Sequence, residues 1–564
     1  MSTSPSPGAR SVTVGVDFGT ESGRVLLLDL RTGEELAVVE VRYPHGVIDS
    51  TLPHNDEELP PDTALQDPGD YLEVLYQGVS DALAVGNVAP EEVIGLGIDF
   101  TSCTVLPVTA DGTPLCQLDQ WRARPHAWVK LWKHHSAQPI ADRLNAIGRD
   151  RNEDFLSRYG GRLSSEWYFP KLIEIWQEDL AIFDAMSAFV EATDWVIWHL
   201  TGTLLRASCS AGYKACWSAK EGLPPRAFFE AAYPGFPDPS EKLGTSFAPP
   251  GRCAGTLRPE VAARLGLNPT VAVAVGNVDS FVSVPGAGVQ DPGVFLMVVG
   301  TSICDLVIDR REIRMAGITG VVENGILPGY FGYEAGQAAV GDMFAWFGDR
   351  LLNLGKSEVG SGASWYVDLE RAAANIPPGE SGLVALDWWN GNRTILGDAD
   401  LSGVIAGLTL ASTPVEIYRA LFESVAFGTR RIIENFVEHD VPIAEVVACG
   451  GIAERSELMM QLIADVTGLP VTIPDSSQIP ARGAALFGGL AAGSARGGFD
   501  DIETAVARLK PDIARRYEPS QSHMVTYGDL YSVFCALHDE FGREHVEWLH
   551  RLRQIRRTAM ASHT

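Results

Sequence analysis

The sequence predicts an α/β protein of two large domains that share one folding plan. Three observations predict it. At 564 residues the chain is too long for a single hydrophobic core. Its 46% hydrophobic and 21% charged residues are those of an ordinary soluble globular protein. And a strand, Gly-Thr turn, strand pattern occurs twice, around Gly19-Thr20 and again around Gly300-Thr301.

Taken in order, Val12 to Val41 holds three β-rich runs separated by a Gly-Thr turn and an RTGE turn, which predicts an antiparallel meander. An acidic, proline-bearing loop follows from Pro44 to about Asp70. Tyr71 to Val85 has helical apolar spacing, and VIGLGIDF (Val93 to Phe100) is a buried strand. Trp121 to Arg206 is mostly helical and rich in tryptophan. VAVAVGNVDSF (Val271 to Phe281) predicts a strand ending in a turn, and PGAGVQDPG places a domain boundary near residue 288. Beyond it, VFLMVVGTSICDLVID (Val294 to Asp309) repeats the opening pattern. VVACGGIAERSELMMQLIADVTGLPV then predicts strand, Gly450-Gly451 turn, amphipathic helix and short strand. The divisions expected are 12–288, 289–497 and a helical, arginine-rich extension over 498–564.

A formal net charge of −28 repels phosphate backbones and anionic lipid, so neither nucleic acid nor membrane is an expected partner. No run approaches the roughly 18 apolar residues of a membrane span. MSTSPSPGAR has no apolar core and is not expected to act as a secretory signal. Eight scattered cysteines, without a C-x-x-C pair, read as free thiols in a reducing cytoplasm.

Glycine turns present backbone N–H groups with no Cβ in the way, which suits oxyanions, although most such turns merely close hairpins. Here two are hairpins with Gly-Thr and a third opens a helix, whose N-terminus favours phosphate. Together they point to phosphate binding. No G-x-G-x-x-G follows a strand, which argues against a dinucleotide fold. Gly355-Lys356-Ser357 resembles the end of a Walker A loop, but Arg350 stands where its first glycine should be, so Lys356 reads as a solvated loop residue.

These residues resemble the FGGY family of carbohydrate kinases, relatives of actin and hexokinase. DFGT (Asp17 to Thr20) resembles the first phosphate motif, VGTS (Val299 to Ser302) the second, and CGGIAERSELMMQLIAD the adenosine motif. EWYFPKLIEIW (Glu166 to Trp176) and the stretch from Gly403 to Gly428 resemble further family signatures. Within the family, DFTSCT, SSEW, CSAGYKACW, YEAGQAAVGDMFAWFG and LDWWNGNRT resemble the ribulokinase branch. The resemblance runs from about Val12 to Gly493. It implies two ribonuclease-H-like (actin-like ATPase) domains flanking a catalytic cleft, a hinge that closes over the ligands, and a cytoplasmic enzyme, a homodimer being allowed. The implied reaction is ATP-dependent phosphorylation of L-ribulose to L-ribulose 5-phosphate, a step of arabinose breakdown. Other pentuloses or polyols, and an actin-like ATPase without a sugar, are the alternatives.

Phosphoryl transfer needs phosphate positioning, charge neutralisation and a base for the hydroxyl proton. The resemblance makes Asp279 that base; by itself an aspartate after a strand more often caps the next helix. Asp17 is implied to face the phosphates and orient Mg²⁺ through water. Gly19, Thr20, Gly300, Thr301, Gly341, Gly450, Gly451 and Ser456 are implied on the ATP side, with plain turn chemistry as the bland reading. Ser102, Lys214 and Glu334 are implied on the sugar side, where such charges would otherwise be solvated or ion-paired. Ser280-Phe281 stands where relatives carry Cys-His, His134 where they carry Asp, and Glu21 at an often hydroxylated position. Adjacent His134 and His135 diverge on either a helix or a strand, which argues against a shared metal.

Overall fold

The computed structural model describes residues 10–53, 55, 58–354 and 364–561, so the Walker-like string at 355–357 lies outside the described residues. The opening meander is β1 (Val12–Phe18), β2 (Ser22–Asp29) and β3 (Glu35–Arg42), all antiparallel. Asp67 caps helix α1 (Pro68–Val85), its carboxylate accepting from the Gly69 N–H at 2.7 Å, so the helix begins a few residues before its apolar spacing becomes visible.

Strand β4 (Val93–Phe100) then pairs parallel to β1. β5 (Cys253–Thr256), β6 (Ala272–Ala274) and β7 (Asn277–Val278) complete the sheet, in the order β5–β6–β4–β1–β2–β3 with β7 also beside β4. Between them lie helices, including α2 (Ser208–Ala215), and a sheet of short strands. α3 (Asp279–Gly286) leads out of the domain.

The second lobe repeats the plan. β8 (Val294–Val299), β9 (Ile303–Asp309), β10 (Gly320–Glu323) and β11 (Phe331–Gln337) are antiparallel in the order β10–β11–β9–β8. β12 (Glu445–Cys449) pairs parallel to β8, and β13 (Val471–Pro474) parallel to β12. Helix α4 (Pro414–Glu438) opens with a capping box in which Thr413 N–H donates to Glu416 at 2.6 Å. The helix expected after Gly450 is broken at Ser456, which caps its second part, α5 (Glu457–Thr467).

Helix α6 (Ile479–Ala492) follows the second sheet in sequence but packs on the first. The reason is glycine: a Cβ on Gly97 of β4 would lie 2.0 Å from the Ala484 carbonyl oxygen, and one on Gly483 would lie 1.9 Å from that of Val282 in α3. Backbones therefore touch where α6 crosses both β4 and α3, at the junction of the lobes. The extension is helical, with α7 (Gln521–Asp539) and α8 (Val546–Ala561), except that β14 (Ile513–Tyr517) adds an antiparallel strand to the second sheet. Among the described residues no helix is long and apolar enough to cross a membrane.

Candidate active site

Parallel strands deliver their C-terminal ends to one place, which is where open α/β sheets bind ligands. Register fixes who meets there. Asp17 of β1 stands beside Asp99 of β4, and Asp99 beside Asn277 of β7, two residues before Asp279. Asp279 is the first residue of α3, not its cap; Val278 holds that position, and the carboxylate accepts from the Ser280 N–H at 2.6 Å. Burial, then the charge of Asp17, pushes Asp279 up to about 7. Asp17 is buried and takes a hydrogen bond from Arg24 Nη1 at 3.2 Å.

Asp99 is wholly buried, and neither of its oxygens has a partner among the described residues. Burial, then Asp17 and Asp279, push it well above the ordinary carboxylate range. Sequence reasoning did not single it out as a site residue. The available signal was a charge at the end of an otherwise apolar strand.

The glycine turns are built as hairpins and clamped. Gly19 N–H donates to Ser22 O at 3.0 Å, Gln66 Nε2 donates to Thr20 O at 2.7 Å, and Trp132 Nε1 donates to Thr20 Oγ1 at 3.1 Å. In the second lobe Val340 N–H donates to Thr301 O at 2.9 Å and Gly341 N–H to Gly300 O at 3.2 Å. Thus Gly341 and the Gly300-Thr301 turn form one unit, and a Cβ on Gly341 would sit 3.1 Å from Gly300 O. Gly450 adopts φ 94°, and its Cβ would lie 2.7 Å from Val299 O, so the third turn is seated against the end of β8. Gly451 opens the short helix that follows. Ser456 is committed elsewhere: it donates to Glu370 at 2.7 Å and accepts from Met459 N–H at 3.1 Å. It offers the placement of a helix N-terminus, not a free hydroxyl.

On the other side, Lys214 of α2 and Glu334 of β11 form a buried ion pair at 3.1 Å across the two lobes. Burial disfavours the ammonium, but Glu334 outweighs it and Lys214 is raised. The Trp167 ring lies 5.7 Å from Nζ. Ser102, just after β4, has a buried hydroxyl without a partner among the described residues, in a turn where Cys103 has φ 50°. Buried Lys171 fixes that turn by donating to Cys103 O at 2.8 Å and Leu131 O at 2.9 Å. His134 is buried against Glu174 at 2.9 Å, while half-exposed His135 faces Ser165 and Glu166, so the adjacent histidines do diverge.

Among the described residues, three ligating groups come within 4.8 Å only at His45, Asp67 and Asp70. There Asp67 caps α1 and Asp70 accepts from both the N–H and Nδ1 of His45, so the cluster is a clasp on the loop after β3. The hard oxygens of Asp17 and Asp99, two of them unpartnered, suit Mg²⁺ with much of its hydration shell retained.

Models of the FGGY family of carbohydrate kinases match the chain twice, the N-terminal domain over residues 12–286 and the C-terminal domain over 295–492. A ribulokinase of Anoxybacillus flavithermus is 48% identical, and one of Mycolicibacterium smegmatis 44%, each over 98% of both chains. Among solved structures, a xylulose kinase from Lactobacillus acidophilus superimposes with a TM-score of 0.78 at 17% identity, over 95% of this chain and all of the other. A Plasmodium falciparum glycerol kinase with ADP gives 0.73 at 14% identity, over 94% and 99% of the two chains. The chain is a sugar kinase and belongs to the FGGY family of carbohydrate kinases, in its ribulokinase branch.

Proposed function

We propose that the enzyme transfers the γ-phosphoryl group of ATP to the 5-hydroxyl of L-ribulose, giving L-ribulose 5-phosphate and ADP in the cytoplasm. The observation that carries this is Asp279: a buried carboxylate that burial and the charge of Asp17 push up to about 7, where the parallel strands end. Identity to the ribulokinases supports the choice of sugar.

In this mechanism Asp279 takes the hydroxyl proton as the oxygen attacks phosphorus, and the bond to the ADP oxygen breaks in line. A base of this kind contributes roughly 10²–10⁴-fold in rate. Lys214 donates to sugar oxygens, Glu334 accepts from hydroxyls, and the free Ser102 hydroxyl serves either role. Gly19-Thr20, Gly300-Thr301 and Gly450-Gly451 offer N–H groups to the phosphates. Asp17, with Asp99 behind it, would hold Mg²⁺ through water; when bound, the ion neutralises charge on the phosphates. Closure of the lobes would exclude water, which otherwise competes for the phosphoryl group.

Phosphorus NMR of the products formed from L-ribulose, D-ribulose, D-xylulose, ribitol and glycerol tests the substrate. A 5-phosphate ester formed fastest from L-ribulose supports the proposal. Faster turnover of another sugar moves the enzyme to that substrate, and ATP hydrolysis indifferent to sugar overturns the proposal.

A further inference from the structure

The string LDWWNGNRT has no part in the chemistry above, yet its arginine reaches the sugar side. Arg393 Nη2 donates to Glu334 Oε1 at 3.2 Å, while Lys214 holds Oε2 at 3.1 Å. One carboxylate is thus shared between an ammonium from the first lobe and a guanidinium from a loop of the second. The side chains of Lys214 and Glu334 are 5% and 4% exposed, whereas that of Arg393 is 32% exposed. Among the described residues its Nε and Nη1 have no hydrogen-bond acceptor. Of the three charges, Arg393 is the most exposed and has donors to spare for a ligand.

Its loop is held more firmly than a surface arginine requires. Asn392 and Asp398 exchange backbone hydrogen bonds at 2.8 Å each, and Asn392 Oδ1 accepts from Leu396 N–H at 2.9 Å. Thr394 Oγ1 accepts from Gly336 N–H at 2.8 Å, two residues beyond Glu334 on β11. Ile395 N–H donates to Gly317 O at 3.0 Å and carries φ 88°, a left-handed conformation that is rare and costly for a β-branched residue. Strain of this kind persists where surrounding contacts over-determine it, and it clusters at ligand clamps.

Substrate chemistry says what such a donor would read. A 2-ketopentose can close a five-membered ring only through O5, so a molecule phosphorylated at O5 must enter open, with its C2 carbonyl exposed. That oxygen only accepts. Glu334 cannot serve it, and a positioned guanidinium can.

We propose that Arg393 is a specificity-determining residue that donates to the C2 carbonyl of the open-chain ketose, and so separates ketoses from polyols of the same length. This rests on the pentulose kinase activity proposed above. The polyols ribitol and L-arabinitol, which carry a hydroxyl at that carbon, can use Glu334 instead and depend less on the arginine.

The test compares wild type with Arg393→Gln and Arg393→Lys. Binding of L-ribulose, ribitol and L-arabinitol is followed by tryptophan fluorescence without nucleotide, alongside KM for ATP and thermal midpoints. Loss of one charge-assisted donor predicts that Kd for L-ribulose rises about tenfold or more in Arg393→Gln, polyol binding shifting less than about twofold. KM for ATP should hold, and Arg393→Lys should recover part of the loss. Equal weakening of ketose and polyols, or no change in either, overturns the role of Arg393 while leaving the kinase activity standing. A wild type that neither binds nor phosphorylates L-ribulose overturns both.

Discussion

Lys214 and Glu334 meet at 3.1 Å across the two lobes, so the lobes join through a buried ion pair, at the place proposed for the sugar. Removing one partner of such a pair strands the other charge. Glu334→Gln should therefore cost about 3–5 kcal/mol, read by urea unfolding, and weaken sugar binding with it. The paired change Lys214→Met with Glu334→Leu removes both buried charges but still leaves Arg393 without its carboxylate, so it should recover part of the stability and none of the activity. A Glu334→Gln protein as stable as wild type would mean the pair is solvated in solution.

With its carboxyl held at about 7, Asp279 is protonated below that pH and cannot accept a proton. The pH profile of kcat/KM for the sugar should fall about tenfold per unit below pH 7 and level off above it. A profile flat from pH 5.5 to 8.5 would remove Asp279 as the base.

Gly341 sets the position of the Gly300-Thr301 turn, which is proposed to hold phosphate. Its Cβ would meet Gly300 O at 3.1 Å and Thr301 Cα at 3.2 Å, both backbone atoms that cannot swing aside. Gly341→Ala should raise KM for ATP by about tenfold through displacement of that turn, with KM for the sugar unchanged. Steady-state kinetics varying each substrate in turn decides it.

Glu191 links burial to stability. Burial, then Asp194, push it from 4.5 to about 8, so the fold favours the protonated form. Its contribution is complete below about pH 4.5 and is lost as pH rises through 8. Thermal midpoints should fall less steeply between pH 6 and 9 in Glu191→Gln than in wild type. Parallel slopes would show that the group does not titrate there.

Much of this was legible because its signals are local. Both Gly-Thr hairpins and the meander follow from turn residues and strand periodicity over short windows, and the structure has them. What was not legible depends on residues far apart in sequence. That α6 covers the first sheet is written in Gly15, Gly95 and Gly97, whose small size only makes sense once the helix backbone is seen on them. The break at Ser456 is a cap hidden inside an amphipathic stretch. Asp99 and Arg393 were within quoted strings; the one local signal, a charge ending an apolar strand at Asp99, does not say what it faces. Register brings Asp99 beside Asp17, and a stitched loop brings Arg393 to Glu334.

Whether Asp279 accepts the proton of the attacking hydroxyl is decided by ADP release from Asp279→Asn on L-ribulose with saturating Mg²⁺-ATP. Asparagine keeps the size of the side chain and can still accept from Ser280, but it cannot take a proton. Loss of the base should lower kcat by roughly 10²–10⁴-fold while L-ribulose still binds. Turnover within about threefold of wild type would contradict it, since that lies far below the contribution of a general base.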